Sequence, residues 1–171
     1  MTDKSMLQVQ SNTATGHYYR GYILDEFIQL EMAISQHIVT YLLLNDSKKT
    51  FNRTYVKIHN MTFSNKGKYF GKVLDKLKIN TSNPNSSLLK EIELLIKIRN
   101  VFAHDYLIAV LPTENKFEVD KVIYLAKFKT GFEVISYSEK DLDELITRIN
   151  IAEKKVSDFK KKLTISSSRS I

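Results

Sequence analysis

Apolar residues recur every three or four positions between Tyr18 and Leu44, which is the spacing of one face of an α-helix. This pattern predicts a long amphipathic helix with one wide buried face. The positions that carry it are Tyr22, Ile23, Phe27, Leu30, Ala33, Ile34, Ile38, Tyr41 and Leu42. Residues 1–15 and 164–171 are polar and show no such period, so we expect a flexible tail at each end.

Two further helices are predicted in the middle of the chain. The first covers about residues 64–77 and the second about residues 88–104, with a serine just before it as N-cap. Residues 80–87, which separate them, are rich in turn-forming residues. Residues 51–62 fit no single pattern.

After residue 106 the pattern becomes that of β-structure. Residues 121–128 and 132–137 are β-branched and aromatic, and the turn-forming residues 129–131 join them, so we predict a β-hairpin. Residues 107–111 either add a strand or extend the preceding helix.

The final helix is predicted over about residues 138–163. Ser138 and Asp141 have the spacing of a capping box at its start. Its apolar seam consists of Leu142, Leu145, Ile149, Ala152, Val156, Phe159 and Leu163. Together the elements predict a mainly α fold, a helical bundle of four to five helices with a small β-hairpin (about residues 121–137) inserted before the last helix. We expect one domain over residues 16–163.

Composition narrows the class of protein. The chain of 171 residues contains no cysteine, which excludes a disulfide scaffold, a thiol nucleophile and a thiolate metal site. Its 26 basic and 19 acidic residues give a net charge of +7, a balance that attracts polyanions, and RNA, DNA and anionic membranes all qualify. No apolar run approaches the roughly 20 residues of a membrane span. The first residues do not resemble a secretory signal, so we expect a cytoplasmic protein without membrane association.

Signatures of metal or cofactor chemistry are missing from the sequence. The five glycines are scattered rather than grouped in a phosphate-binding loop. No two of the four histidines stand at metal-ligand spacing, and no acidic cluster suggests a two-metal site. We therefore expect no metal and no cofactor.

The segment 98–106 places polar residues that are candidates for catalysis at the end of a predicted helix. Arg99 and His104 are five residues apart, about 500° of helix rotation, so on a continuous helix they point about 140° apart. A site that uses both therefore needs either a helix that ends near Ala103 or a second chain. Asn100 and His104 share a polar stripe, whereas Arg99 lies on a largely apolar one.

The order Arg99–Asn100–x3–His104–x–Tyr106 resembles the R-x(4–6)-H motif of the HEPN (higher eukaryotes and prokaryotes nucleotide-binding) superfamily, in its longer R-x4-H-x-Y form. A polar residue after the arginine, here Asn100, is typical of that family. The resemblance covers nine residues directly, and the helical organisation of about residues 18–106 agrees with it. It implies a HEPN-like helical bundle that dimerises so that both motifs line one cleft.

The resemblance also implies an activity. Active HEPN proteins are metal-independent endoribonucleases, often toxins or antiviral defence effectors, that leave a 2′,3′-cyclic phosphate. The longer motif occurs in toxins that pair with nucleotidyltransferase antitoxins, so the implied partners are RNA, a second copy of the chain, and a cognate antitoxin or nucleotidyltransferase. Arg99, Asn100 and His104 are then the candidate catalytic residues. Asp105 and Tyr106 are candidate site or regulatory residues.

Cleaving RNA without a metal needs a base, an acid and a positive charge beside the phosphorane. Histidine suits the first two tasks and the planar guanidinium of arginine suits the third. A symmetric dimer supplies two of each. Weaker candidates for RNA binding are four lysines, Lys68, Lys72, Lys76 and Lys97.

Structural roles would account for the same residues. His104 could cap the helix end, where a positive charge favours the helix dipole. Arg99 could form an ion pair with Glu31 or Asp105, and the lysines at 68, 72 and 76 could be an ordinary solvated face.

Two other functions stay open at this point. The hairpin and long last helix depart from a minimal all-helical toxin and resemble mannitol-repressor-like members, so a non-catalytic HEPN regulatory or binding protein is the second hypothesis. A basic DNA-binding repressor is a third, although the sequence offers no helix-turn-helix pair.

Overall fold

The computed structural model describes residues 3–45, 50–77, 84–107, 121–127 and 133–167. Within these ranges the chain forms helices α1 (Asp3–Leu44), α2 (Phe51–His59), α3 (Phe63–Lys76), α4 (Pro84–His104) and α5 (Glu139–Ser167), and strands β1 (Tyr106–Leu107), β2 (Lys121–Lys127) and β3 (Glu133–Ser138). The prediction of a mainly α fold with a small β insertion before the last helix is confirmed.

Helix α1 begins at Asp3, well before the predicted start near Tyr18. Residues 3–17 contain no proline, and extending an existing helix gains one hydrogen bond for each residue that is fixed. The helix therefore includes most of the segment that we expected to be a tail. Helix α5 similarly continues to Ser167.

The middle helices differ from the sequence prediction mainly in their ends. The ambiguous stretch after residue 50 contains α2, which buries only Thr54 and Ile58. The side chain of Thr62 caps α3 by accepting a hydrogen bond from the Asn65 amide at 3.3 Å. Helix α4 begins at Pro84, earlier than predicted, and proline is well tolerated at this first helical position.

The predicted hairpin is part of an antiparallel sheet with the order β1-β2-β3. Tyr106 pairs with Ala126 at one edge, and Ile123 pairs with Tyr137 in the hairpin. Residue 107 thus begins a strand rather than continuing α4, whereas residues 108–111 and the predicted turn at 129–131 lie outside the described residues.

The start of α5 follows the predicted capping box. The Ser138 amide donates to the Asp141 carboxylate at 2.8 Å, and the Asp141 amide donates to the Ser138 hydroxyl at 3.2 Å. The Ser138 hydroxyl also donates to the Asp141 carboxylate, at 2.7 Å. The Ser138 amide and hydroxyl, together with the ammonium of Lys121 at 3.2 Å, lower the pKa of Asp141 to about 2. The seam residues from Leu142 to Val156 are buried as expected, and Leu163 lies outside the described side chains.

Internal contacts divide the chain into two compact units. Our expectation that residues 16–163 form one domain stays a prediction. Unit 1 comprises residues 1–26 and 98–148. Its described core consists of Ile23, Phe102, Ile123, Leu125, Ala126, Leu142 and Leu145. Gly16 of α1 lies against β2 so closely that a Cβ would stand 2.6 Å from the carbonyl oxygen of Val122, so only glycine fits there.

Unit 2 comprises residues 27–97 and 149–171. Its largest buried side chains are Phe27, Leu30, Ile34, Ile38, Ile58, Phe70, Leu74, Ile92 and Leu95. Lys66 of this unit is also buried, and its ammonium lies 2.6 Å from the carboxylate of Glu31. This ion pair removes the cost of burying an isolated lysine.

One helix of the described chain, Thr13–Leu44 within α1, is long and apolar enough to cross a membrane. Its most apolar 18-residue stretch has a mean hydropathy of 1.3, and 39% of that stretch is buried. Core helices of soluble proteins meet the same criterion. The expectation of a cytoplasmic protein without membrane association therefore stays a prediction.

Candidate functional site

The motif residues lie at the end of α4, within unit 1. The helix continues through His104, and the Asp105 amide donates to the Val101 carbonyl at 2.9 Å. The helix therefore does not end early enough to turn His104 towards Arg99. On a continuous helix these two side chains point about 140° apart, so a single chain does not aim them at the same point.

Arg99 and Asn100 are the two motif side chains that touch each other. The guanidinium Nη1 of Arg99 donates to the amide oxygen of Asn100 over a long 3.5 Å. Arg99 is half-buried, whereas Asn100 and His104 are exposed. Among the residues that the structure describes, Arg99 forms no ion pair, and the imidazole of His104 forms neither an ion pair nor a hydrogen bond.

The end of α4 is held by Arg20 of α1, a residue that the sequence analysis did not select. Its Nε donates to the Phe102 carbonyl at 2.8 Å and its Nη2 donates to the Asp105 carbonyl at 3.0 Å. These carbonyls belong to the group that a helix end leaves without internal partners. Since 82 and 85 residues separate the partners, no local sequence spacing could have indicated this contact.

The structural alternatives for the motif residues have different outcomes. His104 does lie in the last turn of α4, so its role at the helix dipole stays a prediction, and Arg20 donates to the Phe102 and Asp105 carbonyls on either side of it. Glu31, one of the two carboxylates considered for Arg99, is paired with Lys66. The other, Asp105, receives no hydrogen bond or ion pair from Arg99.

Asp105 and Tyr106 have different surroundings. One carboxylate oxygen of Asp105, Oδ2, is buried and has no hydrogen-bond partner among the described residues. Burial, and then the negative charges of Asp105 and Asp141, raise the pKa of Tyr137, whose ring lies 5.2 Å from that of Phe102. Tyr106 is in β1 rather than on the helix and is 67% exposed, so it is not a core aromatic.

The four lysine candidates are all exposed and all belong to unit 2: Lys68, Lys72, Lys76 and Lys97. Within the described part of the chain, no group of three or more histidine, cysteine or acidic residues is placed to hold a metal ion.

The chain matches no known protein-family model, no curated protein and no solved structure.

Proposed function

We propose that the chain is a cytoplasmic, metal-independent endoribonuclease of the HEPN type that acts as a homodimer, as a toxin or an antiviral defence effector. The observation that carries this proposal is that Arg99, Asn100 and His104 have no structural partner beyond one another among the described residues. The side-chain hydrogen bonds to the carbonyls at the same helix end come from Arg20 instead.

In the proposed reaction, one His104 accepts the proton of a ribose 2′-hydroxyl, and the 2′ oxygen attacks the adjacent phosphorus. The bond from phosphorus to the 5′ oxygen breaks, and the second His104 of the dimer protonates this leaving oxygen. Arg99 stabilises the negative charge of the phosphorane. The products are a 2′,3′-cyclic phosphate and a 5′-hydroxyl.

The unbroken helix supports the dimer. Because Arg99 and His104 of one chain diverge by about 140°, a cleft shared with a second copy is the simplest way to aim both at one phosphate. Asn100 lies beside Arg99 and on the stripe of His104, so we assign it the task of orienting either side chain.

The test is cleavage of single-stranded RNA by pure protein in EDTA. Arg99→Ala and His104→Ala should each lower the rate about 100-fold or more. Their melting temperatures should stay near that of the wild type, because neither side chain supports the fold. A substrate with deoxyribose at the scissile position should resist cleavage. Retention of cleavage by His104→Ala, or its loss only because the variant unfolds, would contradict the proposal.

The second candidate is a non-catalytic HEPN regulatory or binding protein. The three-stranded sheet between α4 and α5 favours it, since a minimal all-helical toxin has no such sheet. On this alternative the wild-type protein cleaves no RNA, with or without EDTA, yet binds a cognate partner protein.

A further inference from the structure

Helix α2 carries a column of aromatic rings on its surface. Phe51, Tyr55 and His59 follow one another at intervals of four residues, and their ring centroids are 5.6 and 5.7 Å apart. The successive planes differ by only 19° and 14°, so the three rings are nearly parallel. Phe51 is 58% exposed and His59 is exposed, which leaves an accessible ring at each end of the column.

This aromatic column is not the packing face of α2. The buried side chains of the helix are Thr54 and Ile58. An exposed phenylalanine gains little from the hydrophobic effect in water, so burial in the core does not account for Phe51. A ligand that stacks on the rings would.

The charge around the column has one sign. Between Thr50 and Leu74 the chain has five basic residues and no acidic one. Lys66 is buried in its ion pair with Glu31. The four exposed cations are Arg53, Lys57, Lys68 and Lys72, and none of them forms an ion pair with a residue that the structure describes.

We infer that α2, together with the exposed cations of the neighbouring α3 in the sequence, is a docking surface for single-stranded nucleic acid. Unpaired bases offer the flat faces that stack on aromatic rings, and the phosphates between them match the unpaired cations. Arg53 and Lys57 lie on the flank of α2 away from the column. One helix width, about 10–12 Å, is comparable to the Debye length of roughly 10 Å at 0.1 M salt, so their charge still acts on a strand at the column.

A duplex fits this surface less well, because its bases are stacked on each other and hide their faces. An acidic peptide would match the charge and leave the rings unused. The surface stands whether or not the chain cleaves RNA, since no residue of the catalytic proposal belongs to it. The sequence proposed Lys68 and Lys72 as weak candidates for RNA binding. The docking surface extends that proposal, because it offers rings for the bases as well as charges for the phosphates.

The test is fluorescence anisotropy with the full chain and a labelled 2′-O-methyl RNA of about 16 nucleotides, a length within the range of single-strand sites. This probe has no free 2′-hydroxyl and so cannot be cleaved by the proposed chemistry. Matched single-stranded DNA, the corresponding duplex and heparin, a polyanion without bases, are the other probes.

The variant Phe51→Ala/His59→Ala removes both accessible rings. It should weaken binding of the single strand by about tenfold or more and leave heparin binding unchanged, because stacking of even one base is worth about fivefold or more. Phe51→Leu, which keeps an apolar side chain and loses the ring, should show part of the effect. The matched control is Tyr18→Ala, which removes an aromatic residue that is 68% exposed elsewhere and should bind normally.

The variant Arg53→Ala/Lys57→Ala removes charge and keeps the rings. It should weaken binding of both the single strand and heparin, and lower the slope of log affinity against log salt by at most about 1.4, the value for two lost phosphate contacts at roughly 0.7 each. Lys154→Ala/Lys155→Ala, which removes two exposed lysines of α5, is the matched control and should leave that slope nearly unchanged.

Three results would overturn the inference: no binding of the single strand at low salt, unaltered binding by the ring variant, or a duplex bound as tightly as the single strand. A stronger response with the RNA probe than with DNA would support RNA as the ligand, and the reverse would support DNA. If the wild type cleaves RNA and the Phe51→Ala/His59→Ala variant binds the single strand as tightly as the wild type, the docking surface is rejected and the nuclease proposal is kept. If the wild type cleaves no RNA but this variant binds the single strand more weakly, the nuclease proposal is rejected and the docking surface is kept.

Discussion

Replacing Arg20 with alanine should destabilise unit 1 and disturb the candidate site together. The guanidinium of Arg20 donates to the Phe102 and Asp105 carbonyls at 2.8 and 3.0 Å. These two carbonyls stand on either side of His104 in the sequence. Removing the guanidinium therefore releases the chain just before and just after the proposed catalytic residue.

The size of the effect follows from the two hydrogen bonds. A hydrogen bond to a charged group contributes about 1.5–3 kcal/mol. Two such bonds at the lower end sum to about 3 kcal/mol, and because the site is only partly buried and the freed carbonyls regain some water, we expect about 2–3 kcal/mol for the pair. For a chain of this length that corresponds to a fall in melting temperature of roughly 5–10 °C. Arg20→Lys should recover about half, since an ammonium can serve one carbonyl well and not both.

Urea unfolding, followed by circular dichroism, measures the free energy of unfolding, with His104→Ala as the control. His104 is exposed and its imidazole has no partner among the described residues, so this control should unfold at the wild-type urea concentration. In RNA cleavage, folded Arg20→Ala should lose about tenfold in rate, because a displaced catalytic group costs rate even when it remains present. Equal unfolding midpoints for wild type and Arg20→Ala would refute the reasoning.

Four further predictions follow from the same structure. Light scattering should give about twice the 19.8 kDa chain mass, and a clean monomer at about ten micromolar or above would contradict the shared cleft. Asn100→Ala should reduce RNA cleavage less than the arginine or histidine variants, and an equally complete loss would mean that its orienting role is wrong. Lys66→Met should cost about 2–3 kcal/mol in urea unfolding by leaving Glu31 unpaired, and Glu31→Leu in addition should restore part of it. The pKa of Asp141 is lowered to about 2, so its charge stabilises the fold above its ordinary pKa of 3.8 and stops doing so as the pH falls towards 2. The gap in melting temperature between wild type and Asp141→Asn should therefore close from pH 5 to pH 2, and a constant gap would show that the charge has no such role.

Local sequence determined the parts of the fold whose interactions are local. The capping box of α5 joins Ser138 and Asp141, three residues apart, and both hydrogen bonds form as predicted. The seam of α5 is buried from Leu142 to Val156, and Phe159 is half-buried, because spacing of three and four residues keeps apolar side chains on one side of a helix. The exposed positions of Asn100 and His104 follow from the same periodicity along α4.

Helix ends and short helices were less predictable. A helix continues until packing or a breaking residue stops it, and residues 3–17 contain no proline, so α1 extends beyond its apolar pattern. Helix α2 has nine residues and two buried side chains, too few to show a period. The exposed aromatic column on it was therefore invisible until the ring positions were known.

Only the tertiary structure decided which cations are held by a partner and which are not. Arg20 reaches carbonyls 82 and 85 residues away, and Lys66 is buried against Glu31 across 35 residues. Nothing in the local sequence separates these two cations from Arg99 or Lys68. What separates them is the partner that folding brings to each one, because a charge can leave water only where an opposite charge or a dipole replaces its hydration.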